Sequence, residues 1–425
     1  MNITTETTRE GARVLLISVV TPDFTDADRS LCELKELCEN LGAECVGEIT
    51  QKRNQLHPAT CVGEGKLEEI ARTAEAYEAD TVVFDLELTP SQFSNIEDAL
   101  PDGITLKDRT MIILDVFADR ALSAEGKLQV ELATLQYLLP RLKGSYESLS
   151  RIGGGLYERG AGESKLELDH RHIRRRIAIL KERTNELAER RSYLRERRKK
   201  QEIPSVAICG YTNAGKSTLL NTLTESDVLA ENKLFATLDP TTRLLKLPDN
   251  REVLLSDTVG FIRRLPHNLV NAFASTLEEV AQSDVVLVLC DASDPDVEAQ
   301  LSVSLSLLED LGCKGKVLVV YNKCDICDDP FSAQVGAVRI SAKTGKGLDV
   351  LLKKLEFMFS ENTTDVDLLI PYAKASDYYR LMQNEKILSE EATDIGHQVR
   401  ARIENKSLHL YRQYFCISTE EGGIQ

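Results

Sequence analysis

The amino-acid sequence predicts an α/β multidomain chain: an N-terminal α/β domain over residues 1–120, an antiparallel helical hairpin over 121–202, a doubly wound domain over 203–360 and a small α+β domain over 361–425. Three observations predict it. In the first and third segments short apolar runs alternate with amphipathic stretches, as strands and helices do around a parallel sheet. Between them, leucines recur at heptad spacing, the signature of helices packed side by side. And "GYTNAGKST" at 210–218 stands between a strand-like run and a helix-like one, the context in which a glycine-rich loop wraps a phosphate.

In the first segment "RVLLISVV", "AECVGEI", "DTVVFDL" and "RTMIILDVF" read as strands, with helical patterns near 29–41, 64–78 and 90–100. "RVLLISVV" is short, has acids ahead of it and lacks a small-residue cleavage site, so it reads as a strand and not a signal peptide. No catalytic constellation stands out there; His57, followed by Pro58, reads as a loop residue.

In the second segment Leu128, Leu132, Leu135, Leu139, Leu142, Tyr146 and Leu149 alternate spacings of four and three, and Leu166, Ile173, Leu180, Leu187 and Leu194 recur every seven residues. Pro140 should kink or break the first helix. The second, running to about Lys200, would be about 50 Å long at the α-helical rise. A parallel homodimeric zipper is the competing arrangement, but the first helix offers a partner at no translational cost. The hairpin turn is then the glycine-rich "RIGGGLYERGAGESKLE" at 151–167. The segment is also basic. Eighteen Lys/Arg face nine Asp/Glu between Arg141 and Lys200, in a chain whose net charge is −16. A basic arm on an acidic body suits docking to a polyanion; a solvated helix face is the plain alternative.

The third segment carries "PSVAIC", "REVLLSD", "DVVLVLCDA", "KVLVVYNK" and "AVRIS" as buried-strand runs between helices, and the fourth a strand-like "LLIPY", a helix near 375–386 and "HQVRARI". At 42% hydrophobic and 28% charged residues, with ten cysteines in no framework spacing, the composition is that of a globular protein with reduced thiols. No run approaches a membrane span. Cys324 and Cys327 form one CxxC without a second pair or a nearby histidine, so no zinc site is expected. The reading is a cytoplasmic protein, a monomer when free, with room for peripheral association with membranes.

The motifs define a nucleotide site. In "GYTNAGKST" (Gly210, Tyr211, Thr212, Asn213, Ala214, Gly215, Lys216, Ser217 and Thr218) the two end glycines of the loop let backbone N–H groups and the helix N-terminus face phosphate oxygens. Lys216 reaches the β- and γ-phosphates and Ser217 ligates Mg²⁺. In "DTVG" (Asp257, Thr258, Val259, Gly260) the carboxylate would hold Mg²⁺ through water and the Gly260 N–H would meet the γ-phosphate, which makes Lys216 and Gly260 the candidate catalytic residues. "NKCD" supplies Asn322, Lys323 and Asp325; "SAK" supplies Ser341, Ala342 and Lys343. Asp325 can accept both N1–H and the 2-amino group of guanine, whereas adenine would leave it unpaired. GTP and GDP are the expected ligands. "LFATLDPTTR" should provide a threonine to complete the Mg²⁺ shell, and spacing leaves Thr237, Thr241 and Thr242 open.

Together "GYTNAGKST", "FATLDPTTR", "DTVGF", "NKCD" and "SAK", behind a basic glycine-tipped helical segment, resemble the HflX family of translational GTPases over roughly residues 1–360. The resemblance implies a P-loop GTPase domain with Thr237 as the magnesium threonine. Phe235, Ala236, Leu238 and Asp239 would lie beside it at the nucleotide. It also implies a partner in the large ribosomal subunit, whose rRNA the tip would contact through Arg151, Tyr157, Arg159 and Lys165, and a role in splitting or rescuing stalled ribosomes. The sequence departs from the family pattern at Ser164 and Lys165, which bears on the tip's detailed contacts. Phe261 stands where Ras-like switches carry a water-positioning glutamine, implying slow unaided hydrolysis. Asn213 matches an asparagine that in related enzymes ligates potassium, which adds K⁺ to the implied cofactors; an ordinary loop residue is the alternative there. Two rivals are a GTP-gated regulatory scaffold for a protein partner with negligible turnover, which Phe261 permits, and an ATP-driven RNA remodeller, which Asp325 opposes.

Overall fold

The computed structural model describes residues 11–22, 24, 26–141, 159–201, 203–224, 235, 241–258, 260–263, 279–327, 335–360, 363–405 and 407–415, with the side chains at 159–169, 192, 194–201, 360, 363 and 404 excepted. The tip residues Arg151 and Tyr157 lie outside this set. So do the side chains of Arg159 and Lys165, and all of Ala236, Thr237, Leu238, Asp239 and Val259.

The first domain alternates β1 (Arg13–Val20), α1 (Ala27–Asn40), β2 (Glu44–Lys52), α2 (Glu64–Ala76), β3 (Thr81–Phe84), α3 (Pro90–Glu97) and β4 (Thr105–Asp108). Its four strands are all parallel, in the order β2-β1-β3-β4. The order reverses between β1 and β3, so α1 falls on one face and α2 and α3 on the other. Leu67, Ile70, Phe93 and Ile96 of α2 and α3 close one side of the sheet, and Leu31, Leu34 and Leu37 of α1 the other.

One expectation fails. "RTMIILDVF" is not a strand; it forms α4 (Arg109–Arg120), and the strand is the shorter β4 before it. Asp108 makes the switch by capping the helix, accepting from the Met111 N–H at 2.9 Å. The run looks strand-like because α4 is buried nearly all round, with Ile112, Ile113, Leu114, Val116 and Phe117 all enclosed. Such a helix loses the polar stripe that normally betrays it.

Helix α5 (Ala124–Leu138) ends just before Pro140, and α6 (Arg159–Gln201) runs for 43 residues, about 64 Å at the α-helical rise. They pack antiparallel. Leu132 and Leu135 of α5 meet Ile173, Ile177 and Leu180 of α6. Glu131 pairs with Arg176 at 2.6 Å, and Glu125, earlier in α5, pairs with Arg191, later in α6, at 3.0 Å. α5 is rooted in the first domain, where the Tyr137 hydroxyl donates to Asp108.

The third domain comprises β5 (Ser205–Gly210), α7 (Lys216–Thr224), β6 (Thr241–Lys246), β7 (Glu252–Asp257), β8 (Val285–Asp291), α8 (Val297–Asp310), β9 (Lys316–Asn322), β10 (Val338–Arg339) and α9 (Leu348–Ser360). The sheet order is β10-β9-β8-β5-β7-β6, parallel except for the antiparallel edge strand β6. The sequence reading did not anticipate β6. A C-terminal three-stranded antiparallel sheet, β11 (Thr363–Pro371), β13 (Gly396–Glu404) and β12 (Lys386–Ala392), carries α10 (Ala375–Asn384) and a short α11 (Leu408–Tyr411). No helix among the described residues is long and apolar enough to cross a membrane.

Candidate functional site

The site is built where β5 and β7 end. Gly210 takes φ +135°, and a Cβ there would lie 2.1 Å from the Leu289 carbonyl oxygen. Gly215 takes φ +93°, and its Cβ would lie 2.3 Å from Asn322 Nδ2. Both positions demand glycine, for conformation and for space. The loop they bound feeds directly into α7, whose first N–H groups are free of helical partners.

Lys216, only 7% exposed, folds back under the loop and donates to Tyr211 O at 2.7 Å and Gly210 O at 3.2 Å. Burial pushes its ammonium down to about 8, against the pull of nearby Asp257. A buried, poorly solvated cation held by backbone carbonyls suits an anion site. Beside it the Ser217 hydroxyl donates to Asp257 Oδ2 at 2.7 Å, a hydroxyl–carboxylate pair of the kind that suits a hard divalent cation. Among the described residues no cluster of three or more His, Cys, Asp or Glu could hold a metal by itself.

Gly260 closes the pocket. A Cβ there would lie 2.9 Å from Lys216 Nζ and 2.8 Å from Thr212 Cγ2, so its backbone rests directly on the loop's cation. The next residue, Phe261, is bonded into the loop itself: its N–H donates to Gly210 O at 3.0 Å and its carbonyl accepts from the Thr212 N–H at 2.8 Å. Its ring is buried against Tyr211 and the strands of the sheet.

On the far side, Asn322 donates to Ala214 O at 2.8 Å and accepts from Ala342 N at 2.8 Å, tying the phosphate loop to the "SAK" turn. Lys323, at φ +61°, pairs with Asp291 at 2.7 Å. A hydrogen bond from Ser341 holds the exposed Asp325 carboxyl below the usual carboxylate range. It stays ionised at the surface, with Lys323 and Lys343 nearby. Lys343 lies exposed one turn on, while Thr218 continues α7.

Phe235 and two of the threonines that spacing left open take other places. Phe235 has its side chain in the core of the first domain, 2% exposed and edge-on to Phe117 with ring centroids 4.7 Å apart. Thr242, one of three threonines left open by spacing, is bound in β6 to the Ser256 hydroxyl at 2.9 Å, and Thr241 pairs opposite Asp257. Asn213 is exposed at the loop's crest with φ +61°. The sequence reading missed a set of contacts made by the loop's second residue. The Tyr211 hydroxyl donates to Glu33 of α1, and Arg263 reaches Asp26 at 3.0 Å. A lone arginine in an apolar run, Arg109 in "DRTMIILDVF", was the signal available.

Family comparison agrees along the chain. Residues 28–118 match the model of a GTP-binding GTPase N-terminal region, 120–198 that of a GTP-binding GTPase middle region, and 205–323 that of a 50S ribosome-binding GTPase. A GTPase HflX of Caldanaerobacter subterraneus subsp. tengcongensis is 48% identical over 399 residues, covering 94% of this chain and 92% of its own. A GTPase HflX of Escherichia coli is 39% identical over 405 residues, covering 92% and 94%. A solved GTP-binding protein from Sulfolobus solfataricus in complex with GDP aligns over 82% of this chain and 99% of its own at 25% identity, with a TM-score of 0.42, too low to compare arrangements. A glycine-bounded loop on a buried lysine, tied by Asn322 to the turn at 341–343, and relatives matched nearly end to end lead to one statement: the chain belongs to the GTPase HflX family and binds and hydrolyses GTP.

Proposed function

We propose that this GTPase acts on the large ribosomal subunit, splitting or rescuing stalled ribosomes, with hydrolysis resetting the complex. The observation that carries the reading is the hairpin: a 43-residue helix of basic sequence packs against α5, and the glycine-rich stretch precedes and opens that helix, its residues 159–167 being helical and not part of a turn, in an otherwise acidic chain. The name of the family model matched over the GTPase domain, a 50S ribosome-binding GTPase, supports the same partner. In this reading Arg151, Arg159 and Lys165 meet phosphates, and Tyr157 stacks on an unpaired base of rRNA.

At the nucleotide, the phosphate loop from Gly210 to Thr218 wraps the phosphates, Lys216 neutralises their charge, and the Gly260 N–H meets the γ-phosphate. Ser217 and Thr237 would hold Mg²⁺ directly and Asp257 through water; the ion would supply charge stabilisation on the transferring phosphoryl group. Asn213 is the candidate ligand for potassium. Asp325, Lys323 and the "SAK" turn hold guanine. With Phe261 at the water-positioning point, unaided turnover is slow, and the large subunit accelerates it.

The test is to replace Arg151, Tyr157 and Arg159 with alanine and measure subunit co-sedimentation, ribosome splitting and intrinsic hydrolysis. Splitting should fail and binding weaken while intrinsic hydrolysis survives. Unchanged splitting would reduce the tip to a linker. A wild-type protein whose turnover no ribosomal particle accelerates would favour the GTP-gated scaffold that Phe261 permits.

A further inference from the structure

A hydroxyl buried in protein needs a partner, and leaving it without one costs free energy. Around the phosphate loop most hydroxyls have one. Ser217 donates to Asp257 Oδ2 at 2.7 Å, Thr258 donates to Ile208 O at 2.7 Å, and Ser341 accepts from the Thr344 N–H at 3.1 Å. Thr212, the loop's third residue, is the exception. It is only 6% exposed, and among the described residues nothing bonds to its Oγ1. Its main chain is held firmly, the N–H donating to the Phe261 carbonyl at 2.8 Å.

The surroundings of this side chain say what its partner would be. A Cβ on Gly260 would lie 2.8 Å from Thr212 Cγ2, 3.0 Å from Thr212 Cα and 2.9 Å from Lys216 Nζ. Thr212 thus stands at the corner where the loop, its lysine and the segment after β7 converge. With the Gly260 N–H on the γ-phosphate and Lys216 between β and γ, that corner is the γ-phosphate end of the pocket. The α- and β-phosphates fall instead to the loop's amides and the helix start. Oγ1 hangs from the same carbon as Cγ2, so it shares the corner. Lys216 Nζ, itself a donor, is committed to the Gly210 and Tyr211 carbonyls. What a hydroxyl proton there lacks is an acceptor, and an anionic phosphate oxygen is a strong one.

We infer that the Thr212 hydroxyl is a further ligand of the γ-phosphate, donating to one of its oxygens, and that it helps the loop to tell GTP from GDP. GDP leaves Oγ1 unpaired; GTP satisfies it. The desolvation of the hydroxyl is met once, on folding, so the whole of the new bond is available to the triphosphate. A donor fixed in advance also stabilises charge on the transferring phosphoryl group. The inference rests on GTP binding and hydrolysis at this loop and not on the identity of any partner.

The test uses the full-length chain with Mg²⁺ and without ribosomes. Thr212→Val exchanges the hydroxyl for a methyl of similar shape. The nucleotide-free variant should unfold at or above the parent's temperature, because an unpaired buried hydroxyl has gone. Its affinity for GDP should stay within about twofold of the parent's, while affinity for the β,γ-imido analogue of GTP and kcat for GTP should each fall about tenfold. Thr212→Ser, which restores the hydroxyl, should bring the analogue's affinity back to within about threefold of the parent's. An unchanged ratio of analogue to GDP affinity in Thr212→Val would overturn the inference, whether both affinities held or both fell together. So would a lower unfolding temperature, which would mean that Oγ1 is already partnered in the free protein. If Thr212→Val fails to fold, Thr212→Ala set against Thr212→Ser decides on the same ratio. A parent that bound neither nucleotide would overturn nucleotide binding at the loop, and the inference with it.

Discussion

The GTPase domain and the first domain both end parallel strands beside a crevice, yet one crevice is walled with backbone and the other with side chains. Beyond β5 the chain spends two glycines to bring N–H groups inward around a single buried lysine. Beyond β1 and β3 the crevice is packed with opposed charges, Asp85, Glu33, Arg109 and the incoming Arg263, already matched to one another. A site for an anion that comes and goes must keep its cation uncompensated; a site for a permanent neighbour is neutralised. The difference separates a nucleotide pocket from a docking surface on the same kind of sheet.

Breaking each crevice at its central cation should therefore have opposite consequences. Lys216→Ala should lower GTP hydrolysis roughly a thousandfold, with thermal unfolding near or above the parent's, because an ill-solvated charge has gone. Steady-state turnover and a melting curve on one preparation check both halves. Arg109→Met should instead destabilise the protein by about 3–5 kcal/mol, since it strips the cation from buried Glu33 and Asp85. A urea titration that moved by under 1 kcal/mol would refute this.

The rim of the nucleotide crevice should show its own selectivity. Asp325→Asn is expected to weaken GTP binding roughly a hundredfold and to improve xanthosine triphosphate relative to GTP, measured by competition against a fluorescent nucleotide. Undiminished GTP affinity would place guanine recognition elsewhere. The smallest expected effect sharpens the contrast in charge. Burial lowers the Lys216 ammonium from the usual lysine range to about 8 in the free protein. Incoming phosphates favour the charged form, so above that value binding must take up a proton. Affinity for GDP should be flat below pH 7 and fall about fourfold between pH 7 and pH 8.5 by proton linkage. Calorimetry in buffers of different ionisation enthalpy would detect the uptake, and a flat profile would mean that the lysine is already charged when empty.

The nucleotide crevice was legible in the sequence because its parts are local. Gly210 to Thr218 lie in one stretch, and the Asn322 and Asp325 loop follows a strand that announces itself as a fully apolar run. The docking crevice was not, because its partners lie far apart along the chain. Glu33 and Tyr211 are 178 positions apart, and Asp26 and Arg263 are 237; no periodicity links them. The misread α4 has the same origin. Its enclosure by the sheet, α1 and α5 removed the polar face on which helix recognition depends. β6 escaped because half-exposed "TTRLLK" alternates poorly, and an edge strand needs only one neighbour to form.

The long helix has a mechanical corollary. α6 ends at Gln201 and β5 begins at Ser205, so the rod joins the GTPase domain across three residues, while its other end lies some 64 Å away by helix rise. A swing of about five degrees at the β5 end would displace the far end by about 6 Å along that length, somewhat more than the spacing between neighbouring strands. Gearing of this kind would turn a small rotation where the rod enters β5 into a displacement of several ångströms at its far end.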